Sequence, residues 1–114
     1  MLAKPYILNN KKVFTALKFK GEKFKTGVFL ISYFANRSNA KNNRFGIIIS
    51  AKAVAKASDR NLIKRKARAI LFNVKDKTCH NNFLDLVIVV LTQPKTDDYE
   101  KLGEGLNKLF YEEN

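Results

Sequence analysis

Short apolar stripes alternate with polar stretches along the chain, and the spacing of the stripes changes from one segment to the next. Asn9 and Asn10 precede Val13, Phe14 and Leu17, whose separation suits one face of a short helix with an amide cap in front of it. Gly21 is placed to end that helix. Residues 24–34 read as extended chain, with Val28, Phe29, Leu30, Ile31 and Tyr33 favouring a strand, and an extra short strand near Phe24 fits the same stretch. Residues 36–43 have almost nothing to bury and read as a loop, whereas residues 45–50, dense in isoleucine, read as a second strand. From Ser58, placed as an N-cap, to Lys75 the period becomes helical. Ile63, Ala67, Ile70, Leu71 and Val74 gather there within roughly 100° of arc. Residues 84–91 form a near-continuous apolar strand of the kind that lies inside a sheet, and Pro94 closes it. Asp97 and Asp98 open a last helix, acids at the positive end of its dipole, with Leu102, Leu106, Leu109 and Phe110 as its buried stripe. The order predicts an α+β fold: a single-domain α/β sandwich over residues 1–114, with about three helices packed on a small sheet.

Charge adds direction to this outline. The 114 residues are 46% hydrophobic, enough for a core, and carry a formal net charge of +12. Before position 85 there are 19 Lys and Arg against Glu22, Asp59 and Asp76; from Asp85 onward, Lys95, Lys101 and Lys108 face seven acids. So lopsided a distribution repels itself, and a polyanion is the partner that offsets it. Membrane is the weakest candidate for that role, because the run at 83–91 is interrupted by Asp85 and falls far short of the ~20 residues that span a bilayer. The opening residues show no signal-peptide pattern and Cys79 is the only cysteine, which together point to the cytoplasm.

The densest chemistry is Arg60-Asn61-Leu62-Ile63-Lys64-Arg65-Lys66-Ala67-Arg68, five cations in nine residues with no acid among them. On a helix, Arg60, Asn61, Lys64, Arg65 and Arg68 spread over roughly 140° of arc beside the apolar stripe, so one flank can be buried while the other meets phosphates. A basic run is often only a solvated helix face. Here no Glu at four-residue spacing neutralises it, and it lies in the basic part of the chain.

Arg60-Asn61-x-x-Lys64-Arg65-x-x-Arg68 resembles the signature helix of the bacterial ribonuclease P protein family. The preceding residues 44–52, Arg-Phe-Gly-Ile-Ile-Ile-Ser-Ala-Lys, resemble that family's approach to the helix. Phe14, Gly21, Phe24, Phe29 and Asp85-Leu86-Val87 extend the likeness over residues 8–110. The resemblance implies a sandwich with a left-handed βαβ crossover. It also implies binding to a catalytic RNA subunit and to precursor tRNA, whose 5′ leader that RNA removes using Mg²⁺. The signature positions Arg60, Asn61, Lys64, Arg65 and Arg68 would contact the catalytic RNA. The leader would lie in a cleft between the first helix and a sheet face, for which Phe14, Lys18, Phe29, Tyr33 and Lys52 are the candidates. Departures are concentrated in that cleft: Lys18 stands where the family often has a second aromatic, Ser32 where Tyr is common, and Ala51 in place of one of a Lys pair. Leader binding is therefore expected to lean more on charge than on stacking.

No catalytic residue is expected in the protein itself, which would act as the accessory subunit of an endoribonuclease. Cys79 and His80 are adjacent, without the spacing or companions of a zinc site, and no nucleotide-binding glycine loop is present, so no organic cofactor is expected. The alternative is a structural RNA-binding protein such as a ribosomal component. A DNA-binding module is disfavoured, since no helix-turn-helix pair or dimerising heptad accompanies the basic helix.

Overall fold

The computed structural model describes residues 4–8, 21–35, 42–79 and 82–110. A short 3-10 turn, Lys4–Tyr6, is followed by strands β1 (Glu22–Thr26), β2 (Phe29–Ala35) and β3 (Arg44–Ile49). Helix α1 (Ala57–Phe72), strand β4 (Leu84–Val90) and helix α2 (Thr96–Leu109) complete the order. The helix expected near Val13 and Phe14 lies outside the described residues.

The four strands form one sheet in the order β1-β2-β4-β3. β1 and β2 are an antiparallel hairpin, β2 and β4 pair antiparallel, and β3 and β4 pair parallel. Parallel neighbours cannot be joined by a tight turn, and α1 supplies the return between them. β4 is interior to the sheet, with all but one of its residues buried, in keeping with a run that is apolar except for Asp85.

The extra short strand near Phe24 is β1, set apart from β2 because the chain reverses at Gly27, whose φ is 60°. That left-handed conformation is cheap only for glycine. Space forbids a side chain there as well, since a Cβ would stand 2.6 Å from Asp98 Oδ1. The hairpin tip thus rests on the first turn of α2, where Asp98 Oδ2 accepts a hydrogen bond from the Lys95 N–H at 2.8 Å.

Alternation along the strands sorts the sheet into two faces. Phe29 and Ile31 of β2, Phe45 of β3, and Leu84, Leu86, Ile88 and Val90 of β4 pack under the helices. They meet Ile63, Ala67 and Leu71 of α1, Val74 beyond it, and Leu102 and Leu106 of α2. The second face carries a smaller cluster, Leu8 with Val87, flanked by Phe34 and Val89. Ser32 and Asp85 are buried among the residues of that face, and Asp85 accepts two hydrogen bonds from Arg44, at 2.8 and 2.7 Å, across the β3–β4 register.

The helix boundaries differ from expectation at α1. Ser58 does not cap it: the helix starts at Ala57, with Lys56 at the N-cap position making no side-chain cap bond. The helix also ends at Phe72, and tight turns carry the chain on to Lys77 while Val74 stays buried.

Asn43, read as the end of a polar loop, is fully buried. Its amide nitrogen donates to the carbonyls of Lys75 at 2.9 Å and Lys77 at 2.6 Å, and its carbonyl oxygen accepts from the Leu84 N–H at 2.7 Å. One side chain thereby ties the exit of α1 to the start of β4. Replacing Asn43 by Ala strands three backbone groups and is expected to cost about 2 to 4 kcal/mol in urea unfolding; a loss below about 0.5 kcal/mol would show that water substitutes freely. Gly27→Ala is expected to cost about 1 to 3 kcal/mol, through left-handed strain and displacement of the Asp98 cap, read as a lowered denaturation midpoint.

Candidate nucleic-acid interface

α1 is held to the sheet by Ile63, Ala67 and Leu71, and this burial sets its rotation about its own axis. The cations fall into a graded series as a result. Arg60, nearest the apolar stripe, is half-buried and donates from Nη1 to the carbonyls of Val54 at 2.9 Å and Ala55 at 2.8 Å. It therefore anchors the loop between β3 and α1. Lys64 is also half-buried, while Asn61, Arg65 and Arg68 are exposed. Among the described residues, no carboxylate pairs with Arg60, Lys64, Arg65 or Arg68; the ion pairs are Arg44–Asp85 and Lys75–Asp76. Asn61, Arg65 and Arg68 are thus brought together on one outward ridge, with Lys64 at its edge and Arg60 turned to the loop.

The other flank of α1 faces α2. Lys66 reaches over the Tyr99 ring, 5.1 Å from its centroid, and α2 approaches α1 closely enough that a Cβ at Gly103 would stand 3.9 Å from Ile70 Cγ2. Asp97, Glu100 and Glu104 are exposed on α2. The acidic helix therefore lies beside α1 on the side away from the ridge.

The five candidates for a leader cleft do not assemble into one site. Phe14 and Lys18 lie outside the described residues. Lys52 is exposed on the turn after β3. Phe29 is a correction: it is fully enclosed in the core, 5.7 Å from the Tyr99 ring, and has no free face for a base. Tyr33 shares the helix-side parity of Phe29 and Ile31, and faces a cleft of about 560 Å³ between β1 and α2. There it stands edge-on to Phe24 at 6.0 Å. Burial, with the Glu22 carboxylate beside it, pushes its phenol up to about 12, so it remains a neutral donor.

Burial first, and Glu22 second, raise the Cys79 thiol, which keeps it protonated and a poor nucleophile. Among the described residues no three His, Cys, Asp or Glu side chains are grouped to hold a metal ion, and no helix is long and apolar enough to cross a membrane.

Sequence reasoning missed two polar anchors, Asn43 and the Arg44–Asp85 pair. The second leaves a trace in the sequence, an acid inside an otherwise apolar strand, since a buried carboxylate needs a cation across the register.

The sequence and the fold both have known counterparts. The family model for Ribonuclease P matches residues 2–113. The ribonuclease P protein component of a Cyanothece species is 32% identical over an alignment covering 98% of this chain and 95% of its own length. That of a Synechocystis species is 30% identical, covering 96% and 86%. Among solved structures, the RNase P protein of Staphylococcus aureus superposes with a TM-score of 0.74 at 23% identity, covering 93% of this chain and 98% of that one. The RNase P protein of Thermotoga maritima, solved with 1-(4-fluorophenyl)-2-thiourea, gives 0.67 at 23% identity, covering 93% and 99%. At that identity the two structures speak for the fold, and it is the family match over nearly the whole length, with a relative above 30%, that decides the assignment: the chain belongs to the ribonuclease P protein family.

Proposed function

We propose that this chain is the protein subunit of ribonuclease P, and that it binds the catalytic RNA and the 5′ leader of precursor tRNA while the RNA, with Mg²⁺, hydrolyses the phosphodiester bond. The observation that carries the reading is the ridge on α1, whose cations are left by the fold without carboxylate partners among the described residues. Guanidinium and ammonium groups held on a rigid helix suit phosphate oxygens along a folded RNA. Arg65 and Arg68 are the phosphate-facing members. Arg60 contributes by fixing the loop that leads into the helix, and Lys64 spans the two roles.

For the leader we retain Phe14, Lys18 and Lys52, with the phosphates neutralised by lysine and a base stacked on Phe14. The family resemblance also supports a left-handed sense for the β3–α1–β4 crossover, one RNA-binding domain over residues 1–114, and a cytoplasmic setting. The ribosomal alternative shares charge and size, but it lacks the family match.

The decisive assay adds purified protein to bacterial ribonuclease P RNA at low Mg²⁺, where cleavage of precursor tRNA is expected to rise; no rise would overturn the reading. Arg65→Ala and Arg68→Ala are each expected to leave thermal stability unchanged. Each should reduce the slope of log affinity against log salt by roughly 0.7 to 0.9. Arg60→Ala should in addition lower stability by about 1 to 2 kcal/mol, because two charge-assisted bonds to carbonyls are lost. Phe14→Ala is expected to narrow the preference for precursor over mature tRNA, measured as a ratio of dissociation constants. Equal weakening for both would assign Phe14 to the core instead.

A further inference from the structure

One residue on the ridge is not explained by charge. At 100° per residue, Phe72 falls within the cationic arc, between Asn61 and Arg65 and about 40° from Arg68. It lies one turn beyond Arg68, is 44% exposed, and belongs to neither apolar cluster of the fold. Ala69, also exposed, precedes it by about one turn on the neighbouring outward surface. A phenyl ring left this exposed at a helix end gains only part of the stabilisation that full burial would give.

The ring is nevertheless held in place. The Lys75 ammonium stands 5.1 Å from the Phe72 centroid and 5.0 Å from that of Tyr6. It is fixed there by Asp76 at 2.8 Å, which in turn accepts a hydrogen bond from the Tyr6 hydroxyl at 3.0 Å. A cation anchored on several sides thus backs the aromatic ring, while much of the ring's surface remains accessible.

We infer that Phe72 is a stacking platform for one unpaired nucleobase of the RNA bound by the ridge, with Arg65 and Arg68 taking flanking phosphates. The inference rests on the proposed function and deepens it. Charge complementarity selects this occupant, because an apolar protein surface seated on Phe72 would have to desolvate Arg65 and Arg68 without pairing them. A single strand offers the matching set, a flat base between anionic linkages.

The chain has no tryptophan, so Phe72→Trp introduces a sole indole fluorophore at the site. With the transcribed ribonuclease P RNA subunit as probe, this variant is expected to bind as the parent does and to lose emission as the RNA saturates it. Phe72→Ala and Phe72→Leu should each bind roughly 5- to 100-fold more weakly, with the salt slope and the melting temperature unchanged, since stacking and not a phosphate contact or core packing is lost. Parent-like binding by either the Ala or the Leu variant, or indole emission indifferent to saturating RNA, would overturn the inference. Arg65→Ala separates it from the reading beneath it. A flattened slope for Arg65→Ala with a silent Phe72→Ala removes only the platform, whereas an unchanged slope for Arg65→Ala removes the RNA-facing ridge itself.

Discussion

Because β3 and β4 run parallel, the chain leaving one must travel back the length of the sheet before it can begin the other, and α1 is the segment that makes this return. The return path fixes where the helix lies, and the burial of Ile63, Ala67 and Leu71 fixes how it is turned. Each large aliphatic side chain buried there stabilises that rotation by about 1.5 to 3 kcal/mol. Advancing the helix by one residue would bring Lys64 and Arg68 inward and Ile63 outward, exchanging that gain for unpaired charge in a low dielectric. The outward direction of the ridge is thus a consequence of the core beneath it.

Much of this was legible from residue order, and what was hidden has a common cause. α1, β4 and α2 declare themselves by period or by near-continuous apolar content, which are local properties. The short strand near Phe24 was legible, but the tight reversal at Gly27 that separates it from β2 rests on a single glycine. The faces of β2 were hidden because both parities are largely apolar: Phe29, Ile31 and Tyr33 on one side, Leu30 and Phe34 on the other. Pairing with β4, and the helices above, distinguish them. Phe29 stands beside Phe14 among the leader-cleft candidates only through the family resemblance, which does not distinguish the two faces, and its ring is core. Asn43 sits in a polar segment, and its partners are 32 to 41 residues away in the chain. Among the ridge residues, sequence showed the charges but not their division, because the carbonyls that hold Arg60 become acceptors only once the loop is folded against the helix.

Two titratable side chains are set back from the surface beside one acid. Tyr33 and Cys79, which flank the cleft between β1 and α2, are both held in their proton-bearing forms by burial and by Glu22. The polar atoms that are buried serve the frame: Asn43 joins backbone segments, and Asp85 is satisfied by Arg44. Polar groups inside the protein thus serve rigidity, while Arg65 and Arg68 of α1 stay at the surface.

The juxtaposition of the two helices has a further effect at long range. α1 carries five cations against Asp59, and its neighbour α2 carries Lys101 and Lys108 against four acids. Opposite signs on adjoining flanks give this part of the molecule an electric dipole moment, and the field around a polyanion exerts a torque on such a body before any contact is made. Encounters are thereby biased toward arrival with the arginines leading and the carboxylates trailing, an orienting influence that fades over about 8 Å at physiological ionic strength. The pairing of helices that closes the core also acts as a compass.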